Sequence, residues 1–84
     1  MEHHLKIQPV HFEAVSSGLK LAELRKNDRN FKAGDILHLH EWDGKYTDRH
    51  VSRIAMHVAD VSDYLPGYVL ISMCGNFKGE PEKP

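Results

Sequence analysis

Residues 4–27 read HLKIQPVHFEAVSSGLKLAELRKN, and the succession of patterns within them decides the fold. Leu5 and Ile7 alternate with Lys6, the period-two signature of a strand with one buried face, and Pro9 forbids its continuation as a paired central strand. From Pro9 the spacing changes. Proline suits a first helical position, Val10, Ala14 and Val15 fall at helical intervals, and Gly18 can adopt the left-handed backbone that closes a helix. After Gly18 alternation returns in KLAELRKN. The expectation is a short strand, a two-turn helix and a second strand.

Downstream, DILHLHEWD, TDRHVSRIAMHVAD and GYVLISMC read as three further strands. Asp43-Gly44 between the first two is a strong hairpin signal, so those strands should pair antiparallel. Gly34-Asp35 and Pro66-Gly67 mark the remaining turns. Val58, Val69, Ile71, Ile54, Met56, Leu37 and Leu39 are expected to supply most of the core. The fold class is α+β, mainly β: a small sheet with one short helix after the first strand, curled toward a barrel because open edges aggregate. Residues 1–74 form the one domain, and 75–84, NFKGEPEKP with its flanking glycine, is expected to be a polar tail.

Bulk composition fits one folded unit. The chain has 84 residues, 40% apolar and 27% charged, with a net charge of −1, too apolar and too nearly neutral for intrinsic disorder. No apolar run approaches the roughly 18 residues that cross a bilayer, and MEHHLKIQP lacks a secretory apolar stretch, so no membrane contact and a cytoplasmic location are expected. Cys74 is the single cysteine; it cannot pair within the chain and reads as a partly buried strand residue.

Charge is unevenly spread. Lys20, Arg25, Lys26, Arg29 and Lys32 crowd together against Glu23 and Asp28. In a regular strand Glu23, Arg25 and Asn27 share one face, opposite Ala22, Leu24 and Lys26. Glu23 and Arg25 can therefore pair and fix the guanidinium plane, and Lys20, at the corner after Gly18, can reach the same face. Such a cluster is either a solvated edge strand or one wall of a site.

Gly18-x-Lys20-x-x-Glu23-x-Arg25 resembles the G-x-K-x-x-E-x-R signature of the ASCH domain, a compact β-barrel group of the PUA-like superfamily of RNA-binding folds. Residues 4–43 as a whole resemble a small ASCH-related group of short bacterial and phage proteins that run L-K-I-x-P-x-x-F-x-A-V-x-S-G-x-K-x-x-E-x-R-K-N-D-R-x-F-x-x-G-D-x-L-x-L-x-E-W-D. The resemblance implies a groove for single-stranded or modified RNA, or a nucleotide. Lys20, Glu23 and Arg25 would lie on its floor, with Lys26, Asn27, Asp28 and Arg29 continuing along it, where amide and guanidinium groups can read base edges. Trp42 is the one large aromatic available to stack on a base, or else it belongs to the barrel core. No cofactor is implied.

Other readings stay open. ASCH proteins that resemble cytidine amidohydrolases carry a threonine nucleophile where this chain has Glu23, so that chemistry would lack its hydroxyl here. A hydrolase would have to use Lys20 and Glu23, and a ribonuclease would need a second carboxylate, Asp28 or Glu41, to converge on them. His38-x-His40 sets two imidazoles about 7 Å apart on one strand face, with His50 or His57 as a possible third, a weak metal signal; His3 and His4 read as incidental. A groove that takes a peptide from a protein partner instead of RNA is the remaining alternative.

Overall fold

A computed structural model describes residues 1–74; the expected tail lies outside the described residues. Its elements follow the sequence order: β1 (Glu2–Ile7), α1 (Pro9–Ser16), β2 (Ala22–Lys26), β3 (Ile36–Trp42), β4 (Tyr46–Asp60) and β5 (Tyr68–Met73). Pro9 opens α1, and Gly18, at φ +84°, ends it: the amides of Leu19 and Lys20 both turn back to the carbonyl of Ala14 at 2.9 Å. The inward side chains of α1 are Phe12 and Val15, whereas Val10 is exposed. The Asp43-Gly44 signal is met by the tight β3–β4 hairpin, with the Asp43 amide on the Lys45 carbonyl.

The five strands form one sheet in the order β1-β3-β4-β5-β2. β1 runs parallel to β3, and every other pair is antiparallel. The long β4 changes partner midway: its first part pairs with β3 and its last part with β5, with the register slipping between Ala55 and His57. A bulge bends a strand and increases its local twist, so β4 curls the sheet around α1. The bulge also corrects the expected core. Ala55 turns in while Met56 is exposed and Ile54 is half-buried, whereas Leu37, Leu39, Val69 and Ile71 lie inside as expected, with Val58 packed against them. Leu5, Ile7, Phe12, Val15, Phe31 and Met73 complete the cluster.

The expected closure into a barrel is not reached. Among the described residues no strand pairing joins the edges β1 and β2. Arginines span the gap instead: Arg25 Nη2 donates to the Lys6 carbonyl at 2.8 Å and Arg29 Nη1 to the His4 carbonyl at 3.0 Å. A guanidinium inserted between two strands holds them beyond the roughly 4.8 Å at which a ladder forms. The same bonds satisfy carbonyls that would otherwise present an open edge.

His3 is no incidental residue. It is buried, bonded through Nε2 to Asp35 at 2.8 Å and set edge-on to Phe31, and the bond draws the Asp35 carboxyl below its usual range. The buried Arg53 donates to the Val15 carbonyl at 3.3 Å, near the end of α1 where a cation is favoured. Cys74, half-buried, follows β5 directly. No helix of the described residues is long and apolar enough to cross a membrane.

Candidate functional site

Local geometry brings the Gly18 to Arg25 charges together. The turn after α1 delivers Lys20, and the strand period sets Glu23 and Arg25 on one face of β2. Glu23 is buried. Its Oε2 accepts from Arg25 Nε at 3.1 Å and Nη2 at 2.8 Å, while Oε1 takes the Lys20 ammonium, which also donates to the Ala22 carbonyl. One carboxylate thus orients two cations, each about a quarter exposed. Charge-assisted bonds of this kind are short and directional, so both cations sit preset at the surface.

Beside this triad is a cavity of about 650 Å³. Its walls are the β1–α1 junction, contributing Lys6, Ile7, Gln8 and His11, and the free edge of β2, contributing Ala22 through Lys26, with Leu70 of β5. Because β2 is an edge strand, side chains of both its faces reach the opening. Four cations, Lys6, Lys20, Arg25 and Lys26, therefore line one cleft with a single carboxylate, Glu23, which Lys20 and Arg25 hold, over a partly apolar wall of Ile7, Leu24 and Leu70. Such a cleft attracts an anion with an apolar or planar body.

The structure brings only part of the expected set together. Lys20, Glu23, Arg25 and Lys26 line the cleft; Asn27, Asp28, Arg29 and Trp42 do not. Asn27 Oδ1 accepts the Phe31 amide at 3.0 Å and so holds the loop before β3. Asp28 and Arg29 border a smaller hollow of about 220 Å³ between β1 and the end of β2. Trp42 is on the outer sheet face, its ring beneath the Lys6 ammonium at 3.9 Å and edge-on to Tyr46 at 4.8 Å. It is neither core nor cleft wall. Lys6, Gln8 and His11 were not expected; the alternation of β1 does turn Lys6 outward, but nothing local in the sequence says that the strand faces β2.

The second carboxylate that a ribonuclease would need, Asp28 or Glu41, is not in the lining of the cleft. Glu41 is buried under the β3–β4 hairpin, where bonds from Arg49 at 2.8 and 2.9 Å and from the Thr47 hydroxyl at 2.6 Å hold its carboxyl down to about 2. Arg49 also reaches Glu13 of α1 at 2.6 Å and covers the Phe12 ring, and the paired carboxylates raise its already high pKa.

Four histidines assemble on the outer face of β1, β3 and β4. His4, opposite His38 in register, has its ring 4.7 Å from that of His38 and 5.2 Å from that of His40; His40 is 5.3 Å from its cross-strand partner His50. His4 Nδ1 and His40 Nε2 are 2.9 Å apart, a hydrogen bond in which one ring donates and the other accepts. His38 is engaged at both nitrogens, 2.6 Å from Glu2 and 2.7 Å from the Ser52 hydroxyl. Desolvation, then the neighbouring imidazoles, push the His40 pKa below its usual value. His57 is not part of the group. Among the described residues no set of three His, Cys, Asp or Glu side chains is arranged to hold a metal ion.

Comparison with known proteins adds kinship. A family model described as "Domain of unknown function (DUF3850)" matches residues 2–73. The chain is also 46% identical over 70 residues, 82% of its length, to an "Uncharacterized 12.9 kDa protein in GpA 3'region" of Escherichia phage P2. It spans 64% of the length of that relative.

Proposed function

We propose that this chain, which belongs to the family described as Domain of unknown function (DUF3850), is an RNA- or nucleotide-binding domain of the ASCH, PUA-like kind. Its guest is a short single-stranded or modified RNA segment, held in the cleft between the β1–α1 junction and β2. The observation that carries this reading is the gathering of Lys6, Lys20, Arg25 and Lys26 in the lining of one cleft with the buried Glu23, which orients two of them. The sheet curled about β4, with a helix directly after β1, supports the PUA-like part of the proposal.

Lys20 and Arg25 contact phosphate in this reading, since Glu23 holds both while leaving each partly exposed. Arg25 keeps one amino group for a guest, because its Nε and Nη2 are committed to Glu23 and the Lys6 carbonyl. Leu24 and Leu70, half exposed at the rim, give the face of a base an apolar surface. Near-zero net charge makes attraction local, so specificity rests on the cleft and not on a diffuse field.

The test is titration of labelled single-stranded RNA into the wild type and a Lys20→Ala/Arg25→Ala variant at low and moderate salt. Binding that weakens steeply with salt and is lost in the variant is the expected result, since each phosphate contact releases counterions. Salt-insensitive binding of peptides with none of RNA would transfer the cleft to a protein partner.

A further inference from the structure

We infer that the outer face of β1, β3 and β4 is a second RNA contact, a stacking platform for bases of a strand that leaves the cleft across Lys6. The inference rests on the cleft reading above and extends it.

Strand register builds the platform. Trp42 is paired with Tyr46 and His40 with His50, with a register shift between the two pairs, and the ring contacts place all four on one side of the hairpin. Trp42 meets Tyr46 edge-on at 4.8 Å, Tyr46 meets His40 edge-on at 6.1 Å, and His40 lies against His50 at 5.3 Å. Ring contact is thus continuous from Trp42 to His50. Beside it is a hollow of about 430 Å³ lined by His4, His40, Tyr46, Arg49 and His50, together with Asp48. That volume falls within the roughly 300–1,000 Å³ of ordinary ligand sites.

Lys6 connects the two surfaces. It lines the cleft, and its ammonium lies 3.9 Å from the centroid of Trp42 and 5.8 Å from that of Tyr46. Cation–π attraction at an exposed site is weak enough to be exchanged for a phosphate. A nucleotide leaving the cleft can draw Lys6 to its phosphate and uncover the Trp42 face for its base. Aromatic side chains on a sheet, flanked by cations, accept any base because every base has a π-face. The surface suits RNA better than an apolar peptide because imidazoles and a phenol make up its rings beside the one indole, with few aliphatic groups among them. Of its carboxylates, Glu2 is bonded to His38, and Asp48 lines the hollow together with the cation of Arg49.

Trp42 is the sole tryptophan of the chain, so its fluorescence reports the event directly. Wild type, Trp42→Ala, Trp42→Phe, His50→Ala and Lys20→Ala/Arg25→Ala are titrated with a dinucleotide and with an octamer of single-stranded RNA, after circular dichroism has confirmed folding. Expected are quenching of Trp42 by the octamer and not the dinucleotide, and a loss of about 5- to 100-fold in octamer affinity for Trp42→Ala, the span of one stacked base. Trp42→Phe should retain most of it, and dinucleotide affinity should be unchanged in both. Equal affinity for both lengths, or an unquenched Trp42 with the octamer bound, overturns the platform and leaves the cleft standing. Octamer binding that needs Trp42 but survives Lys20→Ala/Arg25→Ala overturns the cleft and keeps the platform. No binding of either RNA overturns both.

Discussion

Glu23 and Glu41 are both buried glutamates on strands, each held by an arginine, and their surroundings could hardly differ more. Glu41 faces inward on β3, and its partner Arg49 goes on to Glu13 of α1 and lies over Phe12, so the charges fasten the hairpin to the helix. Glu23 is served by Lys20 and Arg25 of its own segment, which stand at the rim of an open cleft. The first network consumes its charges in joining two elements. The second uses one buried carboxylate to aim two cations outward, although Arg25 also ties β2 to β1. Burial and ion pairing alone do not separate a strut from a site; the direction in which the cations remain accessible does.

The two networks should lose different things when their arginines are removed. Arg25→Ala is expected to weaken RNA binding about 10- to 100-fold, since one charge-assisted bond is worth about 1.5–3 kcal/mol and each 1.4 kcal/mol is tenfold. Arg49→Ala should weaken binding of a dinucleotide, which occupies the cleft alone, far less than Arg25→Ala does, and lower the melting temperature more. Titration and thermal unfolding of the two variants decide it; comparable loss of dinucleotide binding in both would dissolve the distinction.

Acid response sharpens the strut side. The Glu41 carboxyl is held from an ordinary 4.5 down to about 2, chiefly by Arg49 and then Thr47. Below pH 4.5 the unfolded chain therefore takes up a proton that the folded one refuses, and the stability from this group, complete above that value, is lost as pH falls toward 2. Glu41→Gln should be less stable at neutral pH and show a shallower decline across that window, as read from denaturant unfolding at stepped pH.

The smallest effect concerns the seam between the edges. Arg29→Ala removes the bond to the His4 carbonyl and should cost about 1 kcal/mol, the net worth of one hydrogen bond. RNA affinity should fall far less than for Arg25→Ala, because Arg29 borders the smaller hollow and not the cleft. An equal fall would extend the binding surface along the whole β2 loop.

Much of this was legible in the chain. The pairing of Glu23 with Arg25 follows from the two-residue period of a strand, and the position of Lys20 from the turn that Gly18 permits. Misreadings arose where a neighbour far along the chain intervened. Met56 alternates with Ile54 and Val58 on paper, but β4 changes partner beside it and the bulge turns it out. Asn27 and Arg29 continue the polar run of β2, yet Phe31 and the β1 edge claim them. Trp42 does not line the cleft; its ring lies under the ammonium of Lys6, which does.

The elements, the β3–β4 hairpin and the ion pair on β2 can be read from the chain alone, because propensity, turn chemistry and side-chain period act over a few residues. That β1 lies parallel to β3, that the sheet stays open with arginines across its gap, and that His4 enters between His38 and His40 is visible only in the folded molecule. Those outcomes depend on which strands meet and in what register. Register is settled by burying the inward faces together around α1, a condition on the whole chain that no single stretch contains.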